Sequence, residues 1–189
     1  MAELVIVTGP PGAGKSTVAP LVADGFASSV LIPGDWFFGL WRRGAIDPWL
    51  PEAAPQTSVA FAAAAAAAGT FARADCTVVY DGFIPPLALP GFVAMAGVAA
   101  VQYAVLLPPE AACVARVGSR AGHGFTSEDA TRRMYREFAD LALTARHRVG
   151  AAGAGPRETA GQILDGIGTG RLLWTAPDGK ADGQAEGRG

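Results

Sequence analysis

The chain has 189 residues, half of them hydrophobic, and a formal net charge of −2. That length suits one compact domain, and the faint acidity excludes a global basic field that would draw the protein onto nucleic acid or an anionic membrane. Much of the hydrophobic half is alanine, which buries little area per residue.

Leu4–Thr8 is an apolar, β-branched run and predicts a buried strand. It has no basic stretch followed by a long apolar core, so no signal peptide is expected and the cytoplasm is the default location. A glycine-rich turn follows, then a helix from Lys15 to about Asp24. Ser29–Ile32 predicts a second strand, closed by Pro33-Gly34. The Trp-, Phe- and Pro-rich stretch from Trp36 to Pro55 predicts irregular structure. An alanine-rich helix without a well-defined face is expected over Thr57–Ala74. Thr77–Tyr80 predicts a third strand, ending at Asp81-Gly82.

Leu87–Leu107 is long enough to cross a bilayer. Pro90, Gly91 and Gly97 interrupt it, and Gln102 lies inside it, so it divides into a helix and a fourth strand, Val101–Leu107. Glu110–Ser119 reads as helical. A further helix is expected to start near Ser127, with Thr126 or Ser127 as its cap, and to run to about Arg146. His147–Ala151 predicts a weak fifth strand, and Pro156 opens a last helix through about Ile167. Residues 1–174 therefore form the domain, and 175–189, rich in Gly, Asp and Lys, are expected to be a disordered tail. The two cysteines, Cys76 and Cys113, lack motif spacing and read as ordinary buried residues.

Short apolar strands alternating with helices predict an α/β fold, a parallel sheet covered on both faces. Such sheets bind ligands at the carboxyl ends of their strands. That end gathers Gly9–Gly14, Gly34–Trp36 and Asp81–Phe83.

Gly9-Pro10-Pro11-Gly12-Ala13-Gly14-Lys15-Ser16-Thr17 matches the phosphate-loop pattern in full, between a strand and a helix. Glycines let successive N–H groups turn inward on phosphate oxygens. Lys15 then bridges the β- and γ-phosphates of ATP, and Ser16 ligates Mg²⁺. The chain contains no asparagine, so the Asn-Lys-x-Asp guanine-reading motif is absent. One small domain is also too little for a large motor ATPase.

Asp35, just after the second strand, faces the γ-phosphate on this topology. It can accept or orient a substrate hydroxyl proton, or else cap a helix over Trp36–Leu40. Asp81 follows Val78-Val79-Tyr80 in the Walker-B manner and can hold Mg²⁺ through water or position the acceptor; the plain alternative is a solvated Asp-Gly turn. Trp36 and Phe37 belong to an aromatic segment that either lines an acceptor pocket or packs on the sheet. Arg116, Arg120, Arg132, Arg133 and Arg136 flank the Gly122-His123-Gly124 loop. They read as a mobile lid around 116–136 that supplies charge in cis, with Arg133 toward the acceptor. The alternative is two salt-bridged, solvated helix faces.

With these segments in this order, the chain resembles small P-loop kinases of the shikimate kinase, gluconate kinase and chloramphenicol phosphotransferase type, grouped with zeta-toxin-like ATP-binding domains. The matching pieces are GPPGAGKST, GDWF with Asp35, VVYDG with Asp81, LLPPEAACVARVGSR and GFTSEDATRRMYREF. The resemblance implies a three-layer fold with a five-stranded parallel sheet in order 2-3-1-4-5 and a helical lid. It also implies an ATP/Mg²⁺ site and phosphorylation of a hydroxyl. On the family pattern Asp35 is the acidic acceptor-site residue, Arg116 lies against adenine and Arg120 is the lid arginine. The glycine-rich motif that shikimate kinases carry after the third strand is replaced by Asp81-Gly82-Phe83, which argues against shikimate. The aromatic segment points to a larger or less polar acceptor, such as an antibiotic or other secondary metabolite. A nucleotide or nucleic-acid-end kinase and a non-catalytic ATP-binding module are the competing readings; neither a nucleic-acid nor a membrane partner is expected, and the oligomeric state is left open.

Overall fold

A computed structural model describes residues 3–119, 127–139, 142–150 and 153–176. Strand β1, Leu4–Thr8, is buried along its whole length, as its apolar, β-branched composition demands. It pairs in parallel with β3, Thr77–Asp81, on one side and β4, Ala100–Leu106, on the other. Beyond β3 lies β2, Ser29–Pro33, and beyond β4 lies the short β5, Arg148–Val149. The order is β2-β3-β1-β4-β5, all parallel, as expected.

A sixth strand, β6 at Leu173–Thr175, was not expected. It pairs antiparallel with Ala100–Gln102, leaving Val105 and Leu106 of β4 to β5. Three residues give no readable periodicity; only an open stretch of β4 edge makes a strand of them. Thr175 thus lies in the sheet, while residues 177–189 of the expected tail fall outside the described residues.

Alternate residues of each strand face opposite sides. Leu4, Ile6, Val78, Tyr80, Tyr103 and Val105 meet α3 (Ala54–Arg73) and α4 (Leu89–Ala96). Val5, Val7, Val79, Ala104 and Leu106 meet α1 (Lys15–Ala23) and α8 (Pro156–Gly168). The alanine-rich α3 does have a defined face: Ala60, Ala64, Ala65, Ala68 and Gly69 are its buried stripe. Packing selects that face, since alanine on every side leaves the hydrophobic pattern flat. A Cβ at Gly69 would run into the Ala96 carbonyl oxygen, so the glycine permits the close approach of α4. Among the described residues no helix is long and apolar enough to cross a membrane.

A one-turn helix, α2 at Asp35–Phe38, lies at the start of the stretch expected to be irregular, near the helix over Trp36–Leu40 that was its alternative reading. Helix α5 spans Glu110–Gly118 and α6 spans Glu128–Arg136, the latter capped by Ser127, whose Oγ accepts from the Ala130 N–H at 3.2 Å. The single helix expected to Arg146 is interrupted. The chain turns at Glu137–Ala139 and a separate helix, α7, covers Ala142–His147. The turn places Phe138 fully inside the core, edge-on to Phe83 at 5.4 Å between ring centroids. Helix propensity carries no record of that tertiary contact.

His147 is buried, with Nδ1 3.0 Å from the Tyr103 carbonyl oxygen. Burial pushes its pKa below the ordinary histidine range, and the Arg146 and Arg171 charges push the same way. The folded state therefore binds fewer protons than the unfolded chain as pH falls through the free-histidine range, so stability declines there. The thermal midpoint is expected to fall between about pH 7 and pH 5 and to fall less steeply in His147→Gln; equal slopes in the two proteins would contradict this.

Candidate active site

The phosphate loop joins β1 to α1. Gly9, Gly12 and Gly14 have φ of 149°, 78° and 97°, a region costly for residues with a Cβ. Space is restricted as well: a Cβ at Gly9 would strike the Leu106 carbonyl oxygen, and one at Gly12 that of Cys113. The loop is tied by Ala13 N–H donating to Pro10 O at 3.1 Å. A helix leaves its first amides without internal acceptors; here Gly14, Lys15 and Ser16 line a cavity at that end of α1. This is an anion site built from backbone donors and the positive end of the helix. Lys15 Nζ donates to Gly9 O at 3.0 Å and to Pro10 O at 3.2 Å, so the ammonium lies folded over the loop. Arg116, on α5, donates to Gly12 O at 3.1 Å and braces the loop from the other side.

The acceptor side begins at the ends of β3 and β2. Asp81 closes β3 and is 7 % exposed; its carbonyl accepts from the Gly34 N–H at 2.7 Å, fixing the start of α2 and hence Asp35. Tyr80 lies beneath this junction. Its ring and hydroxyl fill the space a Cβ at Gly34 or Gly82 would need. Burial raises the Tyr80 pKa most, with the Asp35 and Asp81 charges adding to it, so all three groups share one neighbourhood.

The segment after β3 is latched to the sheet. Thr8 Oγ1 donates to Ile84 O at 3.1 Å and accepts from Ile84 N–H at 2.9 Å, while Tyr103 Oη donates to the same carbonyl at 2.7 Å. That latch holds Phe83 and Pro85 in the cavity wall.

The cavity is about 700 Å³. Its wall includes Gly12, Gly14, Lys15 and Ser16 of the phosphate loop, Asp35 from the start of α2, and Phe38, Trp49, Phe61, Phe83 and Met134, with Arg133 and Glu137. Of the residues singled out from the sequence, Gly12, Gly14, Lys15, Ser16, Asp35 and Arg133 line this cavity. Gly9, Ala13 and Thr17 shape the loop without lining the cavity, and Asp81 lies beneath it. Trp36 is 71 % exposed, and Phe37 packs against the core. Arg120 and His123, at the tip of the expected lid, lie outside the described residues.

Phe61 and Met134 were not singled out, Phe83 only as part of the Asp81–Phe83 loop, and Glu137 only as a partner for the helix arginines. Phe61 carried one signal: it is the only bulky side chain beside the alanine run. On α6, Arg133 Nη2 donates to Trp49 O at 3.0 Å, tying that helix to the opposite rim. Arg132 instead forms exposed pairs with Glu110 at 3.3 Å and Glu128 at 3.4 Å, of the kind worth little to stability.

Among the described residues no group of three or more His, Cys, Asp or Glu could hold a metal by itself. Ser16 at the cavity and Asp81 at the end of β3 nevertheless fit Mg²⁺, which keeps several waters and takes few protein ligands beside substrate phosphates.

A family model described as an AAA domain matches residues 4–142. No curated protein matches the chain. Among solved structures, a tunicamycin resistance protein from Deinococcus radiodurans aligns with a TM-score of 0.66 at 18% identity, covering 94% of this chain and 99% of that one. A gluconokinase from Sinorhizobium meliloti 1021 aligns at 0.61 and 19%, covering 89% and 92%. Shikimate kinase from Acinetobacter baumannii aligns at 0.56 and 19%, covering 91% and 96%. At such identities the likeness concerns the fold.

Proposed function

This chain belongs to the AAA-domain family matched above and has the fold of the small P-loop kinases, and on that premise we propose that it transfers the γ-phosphate of ATP to a hydroxyl of a small molecule. The observation that carries the reading is the cavity itself. One continuous space has a phosphate-binding loop, a carboxylate and apolar side chains in its wall. The phosphate end suits a triphosphate, and the walled end suits an acceptor of modest size.

In this reading the loop amides and Lys15 hold the triphosphate, and Asp35 accepts or orients the acceptor's hydroxyl proton for in-line attack. Arg116 steadies the loop from α5. Mg²⁺, when bound, neutralises charge on the β- and γ-oxygens; Ser16, and Asp81 through a water, are the residues that would hold it. The wall of Phe38, Phe61 and Phe83 favours an acceptor with an apolar body, which keeps hydroxyl-bearing antibiotics and other secondary metabolites among the candidates.

The test is a screen with radiolabelled ATP and Mg²⁺ over hydroxyl-bearing antibiotics, sugars, nucleosides and oligonucleotide ends. Label is expected on at least one small hydroxyl compound. Label confined to oligonucleotide ends would make the protein a nucleic-acid-end kinase, and ATP binding without transfer to any compound would leave a nucleotide-binding module.

A further inference from the structure

The charges around the acceptor end of the cavity restrict what can enter it. Three charged side chains line that end among the described residues: Asp35, Arg133 and Glu137. Lys15 belongs to the triphosphate end. Asp35 shares the cavity with the phosphate loop and is committed to the reacting hydroxyl on the reading above. Arg133 already donates to Trp49 O. Glu137 lies one helical turn beyond Arg133, so any anion approaching that guanidinium also meets a carboxylate. The three carry two negative charges and one positive, and the Arg133 charge is shared with Glu137 beside it, so a second negative group on the acceptor meets a net negative field.

Glu137 has Arg133 as its charged neighbour. No described residue hydrogen-bonds its carboxylate, although it faces the cavity. Partial burial holds its pKa above the usual carboxylate range, with the Arg133 charge pulling the other way. Glu137 keeps much of its exposure at the cavity surface, and a charged acceptor oxygen still makes a stronger hydrogen bond than a neutral one. Around it, Phe61, Phe83 and Met134 offer apolar surface, and Thr57 and Ser58 on α3 offer only neutral hydroxyls.

We propose that Glu137 determines specificity: it accepts a hydrogen bond from an amine or hydroxyl of an acceptor whose apolar body lies among the phenylalanines. The site thereby selects uncharged or cationic hydroxyl compounds and rejects carboxylate-bearing ones. This rests on the cavity being an acceptor site.

Three probes that share a benzyl body and a hydroxyl separate the possibilities: phenylalaninol is cationic, phenyllactamide neutral and phenyllactate anionic. Their binding to the full chain, with a non-hydrolysable ATP analogue and Mg²⁺ present, is read by ligand-observed NMR titration. Phenylalaninol is expected to bind about tenfold more tightly than phenyllactate, with phenyllactamide between them. Glu137→Gln should remove most of that difference, and Glu137→Lys should invert the order. Phenyllactate binding as tightly as phenylalaninol, a ratio unchanged in Glu137→Gln, or no binding of phenylalaninol at millimolar concentration each overturn the proposal. Because binding is read without turnover, the kinase reading fails separately. Selective binding with no phosphoryl transfer to any compound refutes that reading alone; transfer to hydroxy acids refutes the Glu137 proposal alone.

Discussion

Replacing Lys15 by alanine is expected to lower ATP-dependent phosphoryl transfer by about 10²–10³-fold, the usual cost of losing one preorganised donor on developing charge. Lys15 is the first residue of α1, and its side chain arches back over the loop to the Gly9 and Pro10 carbonyls. Those two bonds hold an ammonium above the place where the loop amides converge. A bound triphosphate offers full negative charge in exchange for carbonyl dipoles, and charge-assisted bonds are roughly twice as strong as neutral ones. Alanine leaves the amides in place, so nucleotide binding should weaken while transfer falls further. The check is transfer of label from ATP beside equilibrium dialysis of ATP on the same variant, with circular dichroism to confirm folding. Full transfer by Lys15→Ala would remove the phosphate loop from the mechanism.

Replacing Asp35 by asparagine should have a comparable effect on the other half of the reaction. Positioned acid–base groups contribute about 10²–10⁴-fold, and most of that should disappear from kcat. ATP affinity should change little, because the loop amides and Lys15 that would hold the triphosphate are left in place. Asparagine keeps the size and the ability to begin a short helix, while losing the negative charge that draws a proton. The Gly34 N–H to Asp81 carbonyl bond fixes the backbone at this point and does not involve the side chain, so the fold should be indifferent to the change. Steady-state kinetics with an acceptor found in the screen reads this split. Unchanged kcat in Asp35→Asn would reduce Asp35 to a helix-start residue.

The two predictions differ in how much of their basis the sequence exposes. Lys15 is legible on its own, because the loop carbonyls it bonds, those of Gly9 and Pro10, lie within six residues of it. Asp35 needs β2, β3 and β1 to be neighbours before it faces anything, and only the parallel order makes them so. Its neighbours divide unexpectedly. The short helix α2 turns Phe38 into the cavity and leaves Trp36 outside, since side chains two positions apart on a helix point in quite different directions. An aromatic cluster read as one surface is therefore split in two.

Glu137 was the least visible. Its segment reads as the middle of a long helix, and the interruption depends on Phe138 finding Phe83, some fifty residues earlier in the chain. Arg133 shares that dependence, because its hydrogen bond to Trp49 crosses the cavity.

By itself the sequence determined β1 to the residue, the phosphate loop, and the alternation of strands and helices; the strand order was implied only by the family resemblance. The first three rest on local stereochemistry: β-branched runs, glycines at positive φ, helix starts beside a strand. Tertiary structure alone decided the exposed face of α3, the β6 addition at the open edge of β4, the break after α6, and the walls of the acceptor cavity. Those depend on contacts between distant segments, whose energy comes from burial and fit and leaves no periodic trace in the chain.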